Sequence, residues 1–183
     1  MFYRVITILT LIGCTVSPSA AQEAAEKAQT VSLCQLLQSP AAYNKKLVEV
    51  RGVVSHGFES FSLSTPQCGT PLGIWLEYGG LIGSGTRYCC GATYARTRQA
   101  PLVVEDIVVP LVQDATFQRL DNYIQQRKSV TLRATLIGRF FSGTLQQLPA
   151  GEFWGGYGHF GCCSLLVIQQ VRTVKPTNSI QHK

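Results

Sequence analysis

Two stretches commit this chain to β-structure before anything else is considered. In "KLVEVRGVVSHGF" the apolar residues Val48, Val50, Val54 and Phe58 fall on one parity, and Glu49, Arg51 and Ser55 on the other. In "SVTLRATLIGRFF" Val130, Leu132, Ala134 and Leu136 alternate with Thr131, Arg133 and Thr135. A period of two is that of a half-buried strand. Gly52 stands inside the first of them, as glycine does at a bulge or a tight bend. His56 shares the apolar parity of that strand and reads as a core or edge-of-sheet histidine rather than a catalyst.

Between these stretches "FSLST" and "GIWLEY" read as two further strands, separated by the turn-rich "PQCGTPL". Residues 79–100 read as a long glycine-bearing loop, and "PLVVEDIVVPLV" as β-prone with Pro110 placing its second half at a sheet edge or outside the sheet. "DATFQRLDNYIQQR" has helical spacing, with Asp114 as N-cap and Phe117, Leu120 and Ile124 on one stripe. A second, short helix is expected over 33–38, opened by the capping-box pair Ser32 and Gln35 and closed by Pro40. The region 142–161 reads as a glycine- and aromatic-rich loop, followed by a last strand in "SLLVIQQVRTV". The expected fold is therefore mainly β. It is a small OB-like Greek-key barrel of about five strands, with one helix between strands 3 and 4 and a short N-terminal helix.

The N-terminus sets the compartment. Arg4 precedes an apolar run from Val5 to Ile12, and Ser19 and Ala21 stand at the −3 and −1 positions before Gln22. This is the pattern of a secretory leader. The alternative is lipid anchoring, because Leu11-Ile12-Gly13-Cys14 has the form of a lipobox with Cys14 as the lipidated residue. The expected organisation is a signal peptide at 1–21, a linker at 22–31, the barrel domain at 32–175 with an insertion at 79–112, and a tail at 176–183. The expected location is periplasmic or extracellular, or else an envelope lipoprotein whose only membrane contact is the Cys14 lipid. The chain is basic, with a formal net charge of +6. Outside the cytoplasm that surplus points to anionic glycan or membrane rather than to nucleic acid.

Maturation leaves Cys34, Cys68, Cys89, Cys90, Cys162 and Cys163, an even set in an oxidising compartment, so disulfides are expected. Cys34 and Cys68 could join the N-terminal helix to the sheet. The adjacent pairs are expected to bond elsewhere, Cys89 or Cys90 with Cys162 or Cys163. Neighbouring Cα atoms lie only about 3.8 Å apart, and extended neighbours point to opposite faces. The competing reading is a zinc or copper site built from His159, Cys162, Cys163, Cys89 and Cys90, although adjacent ligands wrap an ion poorly.

"LLQSPAAYNKKLVEVRGVV" resembles the opening of many secreted bacterial OB-fold-type domains, in which a short helix feeds the first barrel strand. Pro40, Tyr43, Lys46, Val48, Val50 and Gly52 match their run, and Lys45 stands where they carry glycine. The closing "GHFGCCSLLVIQQV" is similar to small exported proteins of unassigned function. The resemblance implies a fold and names no activity.

No nucleophile elbow, zincin helix, Walker loop or dinucleotide fingerprint occurs, and the ten acidic residues show no paired-carboxylate pattern. The expectation is a non-enzymatic binding or structural module of the bacterial envelope, without cofactor, meeting an envelope glycan or protein. A hydrolase assembled from distant residues is the remaining alternative. Candidate ligand contacts are Trp154, Tyr157, His159, Phe58 and Trp75, since aromatic rings beside glycines suit stacking. Arg96 and Arg98 read as a solvated loop.

Overall fold

The computed structural model describes residues 26–57, 59–69, 73–86, 96–126, 129–148, 151–158 and 161–177, with the side chains of 144–148 and 151–155 left aside. The residues expected to form the leader, Cys14 among them, and the tail from 178 onward lie outside the described residues. The fold is mainly β. β1 (Gln29–Thr30) is followed by α1 (Leu33–Gln38), β2 (Leu47–Gly57), β3 (Ser60–Ser64) and β4 (Ile74–Tyr78). Then come β5 (Val103–Val104), β6 (Ile107–Val108), α2 (Ala115–Gln126), β7 (Val130–Phe141), β8 (Thr144–Leu148), β9 (Gly151–Gly155) and β10 (Leu165–Pro176).

The main sheet runs β1-β2-β3-β4-β10-β7, and β7 also pairs with β2, so the pairings return to the strand where they began. β2 lies antiparallel to β7 from Leu47↔Arg139 to His56↔Val130, and antiparallel to β3 from Val53 onward. β4 and β10 are parallel, in the register Trp75↔Leu165 to Tyr78↔Ile168. Gly52 sits where β2 gains its second neighbour. A Cβ there would come within 2.8 Å of the Leu63 side chain and 2.9 Å of the Ser64 carbonyl oxygen. Gly138 is tighter still, since its Cβ would approach the Val167 carbonyl oxygen to 2.4 Å.

The inner face of this sheet holds the larger core. Val48, Val50, Val54, Leu63, Leu136 and Ile168 are all essentially without exposure. α2 closes over it with Phe117, Leu120 and Ile124, the stripe read from the sequence. Asp114 caps that helix by accepting from the Thr116 and Phe117 amides, both at 2.9 Å. Burying those three side chains contributes roughly 6 kcal/mol as an upper estimate. α1 adds Leu33 and Leu36, and its capping box forms as expected: Gln35 N–H donates to Ser32 Oγ at 3.2 Å and Ser32 N–H to Gln35 Oε1 at 2.9 Å. Cys34 on α1 is bonded to Cys68, in the 3₁₀ turn Pro66–Cys68, so the helix is tethered to the segment after β3.

Two expectations are corrected, at 26–31 and at 142–161, and two other segments are defined by the structure. Residues 26–31 are not a free linker, because β1 pairs in parallel with β2 and Glu26 makes a two-point contact with Arg139 at 2.6 and 3.0 Å. "PLVVEDIVVPLV" does not join the main sheet. It folds back as the hairpin β5–β6, whose turn residues Glu105 and Asp106 both have positive φ, 46° and 67°. The region read as an open loop at 142–161 contains the hairpin β8–β9. Lys45 adopts φ 62°, a left-handed conformation that favours glycine, and its N–H donates to the Phe140 carbonyl at 2.7 Å.

Two outcomes are expected. Replacing both Cys34 and Cys68 with alanine lowers unfolding stability by roughly 3–4 kcal/mol in denaturant titration, from the lost constraint on the unfolded chain. Gly138→Ala costs about 2 kcal/mol or more by the same measurement, because the obstructing atom belongs to backbone.

Candidate functional site

A second apolar cluster lies on the outer face of β4, β7 and β10, made of Trp75, Val109, Phe141, Leu165 and Val167. The hairpin β5–β6 covers it with Val104 and Ile107, and Tyr157 and Cys163 pack at its margin. This explains why β4 reads "IWLEY": both faces of the strand are buried, so alternation disappears. Trp75 is only 4% exposed, which removes it from the surface on which it was expected to meet a ligand.

The chain after β9 folds over this cluster. Gly158 and Gly161 have φ 76° and 63°, and Gly161 N–H donates to the Gly158 carbonyl at 3.0 Å. Tyr157 and Cys163 then exchange backbone hydrogen bonds at 2.8 and 3.1 Å. Gly158 lies flat against the Trp75 ring, where a Cβ would come within 2.5 Å. In this reversed loop Cys162 and Cys163 are bonded to each other, with Cα atoms 3.7 Å apart. The expectation that adjacent cysteines would bond elsewhere, with at least one of Cys162 or Cys163 joined to Cys89 or Cys90, is corrected for this pair. It assumed an extended backbone that throws neighbouring side chains apart, and the Gly158–Gly161 turn takes the pair out of a regular strand. The disulfide also withdraws both sulfurs from the alternative metal donor set. Among the described residues no group of three His, Cys, Asp or Glu side chains is placed to hold a metal.

Tyr157 is half-buried and its hydroxyl is already engaged. It donates to Glu105 Oε1 at 2.7 Å, and Lys45 Nζ meets Glu105 Oε2 at 3.2 Å. Three segments distant in sequence thus meet at one carboxylate. Burial, then the hydrogen bond and charge of Glu105, push the phenol well above its ordinary range, so it is a donor and not a base. Phe58, His159, Cys89 and Cys90 lie outside the described residues. Trp154 sits on β9 opposite Leu145, and its side chain is outside the description.

The insertion is held by charges that sequence reasoning took for solvated. Glu77 is 7% exposed. It accepts from Ser84 N–H at 2.8 Å and Ser84 Oγ at 2.9 Å, and pairs with Arg98 at 3.1 Å. Arg98 Nη1 also donates to the carbonyls of Tyr78, Gly80 and Ile82 at 3.0, 3.2 and 2.7 Å. Arg96 grips Asp121 of α2 at two points, 2.7 and 3.0 Å. The available sequence signal was a lone carboxylate in an otherwise apolar strand, which demands a buried partner. Beneath this network Tyr78 packs edge-on against Phe61 and Phe117, and burial pushes its phenol far up.

His56, at the far end of β2, is half-buried against the Phe61 ring, 5.6 Å between centroids. Neither ring nitrogen has a hydrogen-bond partner among the described residues, and desolvation lowers its pKa from the ordinary value. Comparison with protein families, with curated proteins and with solved structures finds no match to this chain.

Arg98→Met is expected to cost roughly 3–5 kcal/mol, since it strands a buried carboxylate. Adding Glu77→Gln should restore a good part of that loss in a double-mutant cycle. The pH dependence follows from His56. The unfolded chain binds a proton near pH 6.5 that the folded one resists, so this contribution is complete above about 6.5 and is lost as pH falls through the folded value. Between pH 7.5 and 5.5 the denaturation midpoint should therefore drop further for the native chain than for His56→Phe. Equal slopes would dismiss the assignment.

Proposed function

We propose that this chain is an exported, disulfide-braced OB-like β-barrel that serves as a non-enzymatic binding or structural module of the bacterial envelope. The strand order supports the barrel. β2, β3, β4, β10 and β7 pair in a ring that returns to β2, with the long helix between β4 and β7, the third and fourth of them in chain order. The leader-like N-terminus supports export. So does a cysteine pattern that yields the bonds Cys34–Cys68 and Cys162–Cys163.

The observation that carries the binding role is the loop 156–164. Among its described residues Gly158 and Gly161 are left-handed, Cys162 is bonded to Cys163, and Tyr157 is fastened to Glu105. A side chain held in advance, as Tyr157 is, loses less entropy on meeting a partner, which favours recognition. Trp154, directly before this loop, is the residue assigned to the contact.

The mature chain should begin at Gln22, carry no lipid, and show Cys34, Cys68, Cys162 and Cys163 resistant to alkylation until reduced. Intact mass before and after reduction reads all three. A diacylglycerol on Cys14 would replace the free form by the anchored one, and alkylation of the four thiols in freshly isolated material would refute the oxidised state. For the binding role, co-sedimentation with isolated cell-wall sacculi is expected to be lost in Trp154→Ala at an unchanged thermal midpoint. Sedimentation equal to the native chain would remove the loop from the contact.

A further inference from the structure

The outer face at the opposite end of β7 and β10 carries a charge arrangement that nothing within the described fold balances. Arg133 and Lys175 are directly opposite each other on these antiparallel strands, and both are exposed. Like charges in that position repel and destabilise the pair. Arg51, on β2, joins Arg133 in lining one cleft of about 500 Å³. A second opening of about 620 Å³ continues past Arg133 to Lys175. No carboxylate lines either opening. The nearest acid along β2, Glu49, is already paired with Arg172 at 3.7 Å.

The first cleft is built as well as charged. Cys34, bonded to Cys68, lines it, and the same bond ties down the Pro66–Cys68 turn that contributes Gln67. Gly52 lines it with main chain alone. Hydroxyl and amide groups come from Ser32, Thr65 and Gln67. Two guanidinium forks suit oxyanions held at two points, and the polar groups beside them suit sugar hydroxyls. Neither opening offers the aromatic platform on which single-stranded nucleic acids stack.

We infer that Arg51, Arg133 and Lys175 form a binding cleft for an anionic glycan chain, its charged groups meeting the three cations in series on either side of Arg133. This rests on the reading of the chain as an envelope binding module, and it adds a surface distinct from the loop 156–164. That loop leads from β9 into the other end of β10.

The test is equilibrium binding of the full chain to size-matched oligosaccharides: oligogalacturonate with carboxylates alone, a heparin oligosaccharide with sulfates, and a neutral malto-oligosaccharide. Both anionic probes should bind, the neutral one should not, and affinity should fall about tenfold between 50 and 200 mM salt. Preference between the two probes identifies the anionic group. Arg51→Gln with Arg133→Gln should weaken binding at least tenfold. Lys175→Glu should weaken it as much while leaving the thermal midpoint unchanged or higher, because it removes the repulsion with Arg133. Trp154→Ala should bind as the native chain does. Absence of binding to both anionic probes overturns the inference, as does native affinity in the Arg51/Arg133 variant. Tighter binding to a (dT)10 oligonucleotide or to phosphatidylglycerol vesicles than to either oligosaccharide overturns it too. Loss of glycan binding in the cleft variants, with sacculus sedimentation still dependent on Trp154, upholds the cleft. Loop-dependent sedimentation without any anionic binding leaves the module reading standing and removes the cleft alone.

Discussion

Everything outside the inner core depends on the parallel junction of β4 with β10. Because the two strands are far apart in sequence and run the same way, the chain between them must leave the sheet and return. It does so through the insertion, α2, β7 and the β8–β9 hairpin. The junction is buried on both sides: Ile74, Leu76, Tyr78, Leu166 and Ile168 face the inner core, while Trp75, Leu165 and Val167 face the hairpin β5–β6. A sheet face that would otherwise be wet is thus covered by the chain's own excursion. The covering segment is held in place by Glu77 and Arg98 beneath and by Glu105 at its tip.

Backbone crowding is the other side of the same constraint. Gly138 admits the Val167 carbonyl, Gly79 the Pro110 carbonyl and Gly158 the Trp75 ring, each at a separation no side chain would allow. These glycines lie on three different segments, and all border the doubly buried region. The compactness that hides Trp75 and half-buries Tyr157 therefore comes from main chain set close against its neighbours. It also moves the exposed chemistry elsewhere: to the loop closed by Cys162 and Cys163, and to the cations at the far end of β7 and β10.

Much of the frame was legible in the residues. Alternation marked β2 and β7, the capping box marked α1, the Phe117–Leu120–Ile124 stripe marked α2, and the tether between Cys34 and Cys68 was among the foreseen bonds. The failures share one cause. "PLVVEDIVVPLV" has the propensity of a sheet strand, but the turn at Glu105 and Asp106 folds it on itself. The aromatic residues were read by their neighbours in sequence, whereas the burial of Trp75 is set by a hairpin some thirty positions away. Arg96 and Arg98 looked solvated because Asp121 and Glu77, their partners, are distant along the chain.

What the amino-acid order determined by itself is what short-range physics governs: strand period, helix caps, helix stripes and the sites of glycine. These depend on residues within a turn or two of each other, so they survive without knowledge of the whole. The tertiary structure alone decided which faces stay in water, which sulfurs meet and which charges are paired. Cys34 found Cys68 because α1 lies against the turn that follows β3, and Arg133 came to oppose Lys175 because of a register set along twelve-residue strands. Such proximities arise from closing the sheet, and no local rule encodes them.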